Sequence, residues 1–470
     1  MTDVIVIGAG PAGVMAAMRA AELGASTALI TRDEFGGMAA NDGPIPVRTL
    51  AHAARLMRES RQLGRYGVAV ADPHLEYPRL LDRVREVVKQ VRSHSSFRAD
   101  LNRLGVTIYE HAGNAHFIDS HTVEADNGLR LTGEKVILCA GGCNRRLRVT
   151  GSELTATHSD AWHLTSIPPS MLVIGAGATG AQVASIFNAF GSKVHLYEAG
   201  PHILPTEDED VSTAVAKAFR DSGIAVHENF GAIEGFERCP GGVRMTYSNN
   251  GTRLNDEASV IIVAIGWAAD TAGLHLPAAG VNLDPRGYVS VDSHLRTSAP
   301  HIFAAGDITG RLMLVPQATR DGFAAATNAM GNEKIVAENP VNPIGSFTDP
   351  EYAQVGFTEA KARETHDILV SKVLFEDASR PQIDGRTTGF CKLIVDRTTH
   401  TILGCHIVGE RAVEIIQMAS IAMIGGVTVD DLARIPLAFP TYTGVLLRAA
   451  YLATAELDRK PRMDLLDLAA

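Results

Sequence analysis

Three glycines, Gly8, Gly10 and Gly13, stand in the run VIVIGAGPAG, and three more, Gly175, Gly177 and Gly180, stand in MLVIGAGATG. A G-x-G-x-x-G turn lets the backbone reverse tightly and brings the open N–H groups of a helix start up to a phosphate. Each turn follows a β-branched apolar run and precedes an Ala-rich stretch, Val14 to Leu23 and Ala181 to Phe190, then a second strand-like run, STALIT or KVHLYE. The same 23 residues separate Gly8 from Thr31 and Gly175 from Glu198. One such turn is weak evidence; two in units of equal length predict two sites for a dinucleotide pyrophosphate. Glu198 closes the second unit, where a carboxylate accepts from both adenosine ribose hydroxyls and repels a 2′-phosphate. With no Arg in the following AGPHILP, that favours NADH over NADPH. The first unit has Thr31 at this place, with Asp33 and Glu34 as alternatives that the sequence leaves open.

The elements that position these residues come from a chain of 470 residues, long enough for about three domains. Hydrophobic residues make up 46% and charged residues 20%, which supports a large core. A net charge of −10 without a basic block argues against nucleic acid as a partner. No apolar run reaches the roughly 18 residues of a membrane helix. No signal-like run precedes the first strand pattern, and the five scattered cysteines read as reduced thiols, so a cytoplasmic protein is expected. The seventeen histidines show no metal-ligand spacing.

A third run, HIFAAGDITG, carries an apolar strand to Gly306 and Asp307. With VIVIGAGPAG, FGGMAANDGPIP, VILCAGG, MLVIGAGATG, FTDPEYAQVGFTE and ILGCHIVGERAVEIIQMASIAM, it makes nearly the whole chain resemble the pyridine nucleotide–disulfide oxidoreductase family. This is the group of dihydrolipoyl dehydrogenase, glutathione reductase and mercuric reductase. The resemblance implies an α/β fold with two Rossmann-like domains and a C-terminal α+β dimerisation domain. It implies an FAD-binding domain over 1–149 and 270–338, an NAD-binding domain over 150–269 and an interface domain over 339–470, in a homodimer. FAD would be held at Gly8, Gly10, Pro11, Ala12, Gly13, Thr31, Arg32, Gly36, Gly37, Met38, Arg48, Ala112, Gly113, Ala140, Gly141, Gly306, Asp307 and Gln317. The nicotinamide nucleotide would be held at Gly175, Gly177, Ala178, Thr179, Gly180, Glu198 and Gly266.

The same resemblance shows what is missing. Disulfide-reducing members carry GG-T-C-x-N-x-G-C-x-P-S-K beside the flavin. Aligned on GGMAANDGPIPVR, the two Cys places hold Ala39 and Pro44, while Asn41, Gly43 and Pro46 still match. The family's C-terminal H-x-H-P-T-x-x-E is here LAFPTYTG, so its acid–base His is Phe439 and the orienting Glu is Gly444. Nucleophile, base and orienter are absent together, which argues against dithiol chemistry. Arg48 stands where the family has a Lys near the flavin, and Gln182 where it has the partner Glu. A guanidinium there would stabilise the charge that the flavin gains on reduction. Ala39, Pro44, Phe439 and Tyr442 would line the vacated pocket, and the small Ala178 would leave hydride access open. Cys139 and Cys143 in CAGGC are the other thiols near the cofactor, with Cys139 read as a small buried hydrophobe. The expected enzyme passes hydride from NADH to FAD and then to a small, quinone-like acceptor. A transhydrogenase, an NADH oxidase and a flavin-bound NADH sensor without turnover are the alternatives.

Overall fold

Val4, Ile5, Val6 and Ile7 are all buried, the signature of a strand covered on both faces. They form the strand Thr2–Ile7 at the middle of a parallel sheet, flanked by Thr27–Ile30 on one side and Arg130–Leu138 on the other. Thr107–Tyr109 extends the sheet beyond Thr27–Ile30, and Ile302–Ala304 pairs with Arg130–Leu138. The coordinates are a computed structural model that describes residues 2–94, 96–331, 334–337 and 341–458. The expected domain boundary at 338/339, and the chain beyond 458, lie outside the described residues.

The first helix begins at Pro11, earlier than the Ala-rich run suggested, because proline is well suited to a first helical turn. It spans Pro11–Glu22, and its buried face is Ala12, Gly13, Ala16, Ala17 and Ala20. Small residues there let the helix Val315–Ala329 approach closely: a Cβ on Gly322 would stand 2.1 Å from the Ala12 carbonyl oxygen. The strand after this helix stops at Ile30, and Thr31 continues into a backbone bond from its N–H to the Tyr109 carbonyl at 2.9 Å.

The described residues fall into two compact units. The first is made of those within 1–148, 156–167 and 263–339, and the second of those within 149–155, 168–262 and 340–470. In the second unit the strands Ser170–Ile174, Lys193–Glu198 and Ala225–Glu228 repeat the parallel arrangement, with the helix Ala178–Phe190 as crossover. That helix ends on Gly191, whose φ of 102° is the left-handed conformation of a glycine C-cap. The same unit carries an antiparallel sheet, in the order Ile344–Ser346, Tyr352–Gly356, Ile402–Val408, Phe390–Asp396, Ile368–Leu374. The helices Ala412–Ile424 and Gly444–Leu457 share a buried core with these strands, built on Ile415, Ile416, Val445 and Leu446.

Candidate active site

The first glycine loop is assembled by close backbone approaches. A Cβ on Gly8 would stand 2.2 Å from the Cys139 carbonyl oxygen, which sets Ala140 and Gly141 beside the loop. A Cβ on Gly13 would stand 1.7 Å from the Gly8 carbonyl oxygen. Gly10 precedes the helix Pro11–Glu22 and offers no side-chain cap, so the first N–H groups of that helix are open to an anion. The Gly36–Gly37 pair lies across this loop. Gly36 donates its N–H to the Ala9 carbonyl at 3.0 Å, and a Cβ on Gly37 would stand 2.6 Å from the Gly10 Cα. Both glycines have positive φ, 102° and 58°. Met38 follows in the short helix Gly37–Asn41, and its carbonyl accepts the N–H groups of Asp42 and Gly43.

Other expected cofactor residues gather on the same unit. Ala112 and Gly113 donate their N–H groups to the carbonyls of Thr31 and Arg32. The Arg32 guanidinium binds Asp33 at 2.9 Å and Asp270 at 3.0 Å, which holds it protonated. Gly306 has φ 79°, and a Cβ on it would come within 3.1 Å of the Ala12 Cβ. Asp307 follows it. Burial pushes its carboxyl above the usual range, and among the described residues nothing donates to its oxygens. Gln317 is buried on the helix Val315–Ala329, with its Nε2 donating to Asp321 at 2.6 Å. Ala39 is half-buried in the middle of the helix Gly37–Asn41, and Pro44 is half-buried at the start of the helix Pro44–Ser60. Arg48 is half-buried one turn further on. Gly266 belongs to this first unit, and its carbonyl accepts the Arg145 N–H at 3.1 Å.

The second loop has the same internal construction and a different rim. A Cβ on Gly180 would stand 1.9 Å from the Gly175 carbonyl oxygen. Gly177 precedes the helix Ala178–Phe190 without a side-chain cap, Ala178 is exposed, and Thr179 lies in the first turn. The Glu198 carboxylate reaches back to this loop: Oε2 accepts from the Ala176 N–H at 3.0 Å and Oε1 from the Gly200 N–H at 2.9 Å. Gln182 donates to the Ala178 carbonyl at 3.1 Å.

Two expected pocket residues differ in setting. Phe439 is 73% exposed. Tyr442, expected beside it as a second lining residue, is half-buried. The Tyr442 hydroxyl donates to Asp384 at 2.9 Å, and its ring lies 6.2 Å from that of Phe375. It is an anchor within its own unit, because a half-buried phenol is most stable where its hydroxyl finds an acceptor. The thiols are also clear. No cysteine precedes Cys139, which is buried and pushed far up by burial, and Cys143 is exposed in the strand Gly142–Asn144. Cys391 and Cys405 are fully buried in neighbouring strands.

The first unit thus presents a glycine cradle with an open helix start and a half-buried carboxylate to which none of the described residues donates. These fit the diphosphate and a polyhydroxyl chain of a flavin dinucleotide. The second presents an open helix start beside a fixed carboxylate, which fits a second dinucleotide. Comparison with known proteins agrees. The chain matches the family described as pyridine nucleotide-disulphide oxidoreductase over residues 2–322, and its dimerisation domain over 342–450. It is 30% identical over 460 residues to the dihydrolipoyl dehydrogenase of Bacillus subtilis, covering 96% of each chain. It is 32% identical over 433 residues to that of Zymomonas mobilis, covering 89% of this chain and 91% of the relative. The HOCl-induced flavoprotein disulfide reductase RclA from Escherichia coli superposes with a TM-score of 0.85 at 27% identity, covering 96% of this chain and 99% of the other. The chain belongs to the pyridine nucleotide–disulphide oxidoreductase family, a family of FAD- and NAD(H)-binding oxidoreductases. No helix among the described residues is long and apolar enough to cross a membrane, and no His, Cys, Asp and Glu group there could hold a metal ion.

Sequence reasoning missed Asp42, Ser159 and His158. Ser159 donates its hydroxyl to Asp42 Oδ2 in a short bond, and the Asn144 amide donates to Ser159 Oγ at 3.2 Å. The one signal in the sequence was a lone carboxylate inside the glycine- and proline-rich stretch MAANDGPIP.

Proposed function

We propose that this enzyme oxidises NADH and passes the electrons through FAD to an acceptor other than a protein disulfide. The observation that carries the reading is the segment folded across the first glycine loop, where Ala39 and Pro44 stand and no thiol is present. A nucleophilic cysteine has to be accessible and able to ionise. Cys139 meets neither condition, and Cys391 and Cys405 are fully buried. FAD, when bound, supplies the two-electron exchange with the nicotinamide. Glu198 holds the adenosine ribose of NADH and disfavours a 2′-phosphate, which weighs against a transhydrogenase. The exposed Ala178 leaves the nucleotide free to enter and leave. Arg48 places a permanent positive charge on the helix that follows the glycine pair. A flat, apolar, quinone-like molecule in the space beside Ala39 and Pro44 is the acceptor class that best matches a place where the family's two thiols and its His and Glu are replaced by Ala39, Pro44, Phe439 and Gly444. The exposed side chains of Phe439, Ile421 and Ile424 are the apolar surface by which two copies would pair.

The relatives named dihydrolipoyl dehydrogenase favour a disulfide acceptor, and one experiment separates the two readings. Anaerobic titration of the holoenzyme with NADH is expected to take up about two electrons per flavin, the capacity of the flavin alone. Lipoamide and oxidised glutathione should be poor substrates beside benzoquinones. An uptake of about four electrons would mean a working dithiol and defeat the proposal.

A further inference from the structure

Lys392 is a buried cation in the strand Phe390–Asp396, its side chain only 3% exposed. An ammonium carries three protons and is stable inside a protein only where acceptors take them. Here three carboxylates do so: Asp208 at 2.8 Å, Asp210 at 2.8 Å and Glu359 at 2.6 Å. Lys372 at 3.2 Å from Asp210 and Arg363 at 2.6 Å from Glu359 offset two of the three. Asp208 is buried and has Lys392 as its one ion-pair partner among the described residues. It also begins the helix Glu209–Asp221, with Oδ1 accepting the Asp210 N–H at 3.2 Å, while Oδ2 accepts the Glu359 N–H at 2.9 Å.

The segment that ends at Asp208 touches the second glycine loop a few residues earlier. Leu204 donates its N–H to the Ala176 carbonyl at 2.8 Å, and Ala176 stands between Gly175 and Gly177. Leu204 is buried with φ 52°, in the left-handed region that a leucine holds only with support from its surroundings. The support comes from the helix that Asp208 begins. The Ser212 hydroxyl donates to the Leu204 carbonyl at 3.0 Å, and the Ser212 N–H donates to the Asp208 carbonyl at 3.1 Å. A path of bonds therefore runs from Lys392 through Asp208 and Ser212 to Leu204, and from Leu204 to the loop. Because a peptide unit is planar, fixing the Ala176 carbonyl also fixes the direction of the Gly177 N–H at the open helix start.

We propose that Lys392 is a positioning residue for NADH: it holds Asp208 and, through Leu204, sets the peptide of the second loop that receives the pyrophosphate. This rests on the assignment of NADH to that loop under the proposed function, and it is independent of the acceptor. Lys392 touches no nucleotide in this scheme. Without the ammonium, Asp208 would be a buried carboxylate lacking a cation, and it regains water only if the helix start moves outward. Leu204 would then relax from its left-handed conformation, and the Ala176 carbonyl would lose its donor.

The test uses the holoenzyme and reads binding apart from turnover. The probes are NADH, followed by anaerobic stopped-flow reduction of the flavin, and ADP-ribose, followed by calorimetry. In Asp208→Asn the new amide cannot accept the Glu359 N–H from its nitrogen, and the buried cluster carries one negative charge less, so the chain should fold with its flavin. Kd for both probes should rise at least about threefold, within the range for residues that act through packed neighbours. The reduction rate at saturating NADH should stay near that of the wild type. Lys392→Met should shift both Kd values further. In either variant the Leu204 amide should exchange its hydrogen faster, which is read without any nucleotide. A residue that served stability alone would lower the melting temperature and leave both Kd values in place. Unchanged Kd values in Asp208→Asn overturn the proposal, even if Lys392→Met does not fold. If Glu198→Ala weakens NADH and Asp208→Asn does not, the positioning role fails alone. If neither variant weakens NADH, the second loop is not its site and both readings fail.

Discussion

A methyl group added at Gly37 would stand 2.6 Å from the Gly10 Cα, whereas one added at Gly177 would meet nothing within 4 Å. These two places describe the rims of two loops with the same G-x-G-x-x-G pattern and the same inner packing. The first is closed over by chain from elsewhere: the Gly36–Gly37 pair crosses it, and Gly322 presses on Ala12 behind it. At the second, Glu198 and Leu204 bond the two sides of Ala176, and Ala178 stays exposed. In the proposed function, the motif fixes where a pyrophosphate sits, and the surroundings fix whether the nucleotide leaves. An enclosed loop suits a cofactor that stays, and an open one suits a substrate that turns over.

The largest effect should come from closing the first rim further. Gly37 has φ 58°, where a side chain costs about 1–2 kcal/mol, and the added methyl also meets backbone that cannot yield. Overpacking of this kind costs about 1–3 kcal/mol more. Gly37→Ala should therefore lose most of its flavin and about 2–5 kcal/mol of stability. Flavin absorbance per protein and a urea melt measure the two. Full flavin content at wild-type stability would break the comparison at once.

The next effect concerns what holds the second loop. The Ala176 carbonyl accepts the Leu204 N–H at 2.8 Å, and the Leu204 carbonyl accepts the Glu207 N–H at 3.0 Å. Burial pushes the Glu207 carboxyl up to about 7 from an ordinary 4.5. Its Oε2 is buried with no partner among the described residues. The folded protein then holds this proton where the unfolded chain has released it. Stability is lost as pH rises from 4.5 and is fully lost above about 7. Glu207→Gln should thus gain about 2–3 kcal/mol at pH 8 and little at pH 4. Melting temperatures at the two pH values check this, and an equal change at both would refute the titration.

The two loops, and the strands and helices around them, were legible from glycine spacing and β-branched runs, because each needs only local chemistry. Their rims were not. Gly36 and Gly37 could be placed near the flavin only through family resemblance, since nothing local marks Gly37 as the partner of Gly10. The bond from the Tyr442 hydroxyl to Asp384 was not legible either, because a hydroxyl follows its acceptor and Asp384 lies 58 residues earlier in the chain. Ser159 escaped for the same reason: its partner Asp42 lies more than a hundred residues away.

A smaller effect should follow from opening the second rim. Glu198→Ala removes the acceptor of two backbone N–H groups and, in the proposed function, of the ribose hydroxyls. NADH should bind about 1–3 kcal/mol more weakly, and the preference over NADPH should shrink in proportion. Flavin content should hold, because the first loop is untouched. Kd values for both nucleotides decide it. Equal use of NADH and NADPH by the wild type would remove the role given to Glu198.

The smallest effect on the fold is the sharpest test of the comparison. Gly177 has φ −72° and ψ −175°, an extended conformation open to any residue. Gly177→Ala therefore adds no backbone strain and meets no neighbour. Its one structural cost is a poorer N-cap, and stability should change by less than about 1 kcal/mol. Flavin should stay fully bound. The methyl nevertheless occupies the space that a pyrophosphate needs against the open helix start, so the KM for NADH should rise several-fold or more while reduction at saturating NADH stays near the wild-type rate. That pattern, a binding defect without a folding defect, is the opposite of Gly37→Ala. If Gly177→Ala melts early or sheds flavin, the second rim is closed by contacts that the open geometry does not contain. If NADH binding is unaltered, the second loop does not carry the pyrophosphate, and the likeness of the two glycine runs is one of packing alone.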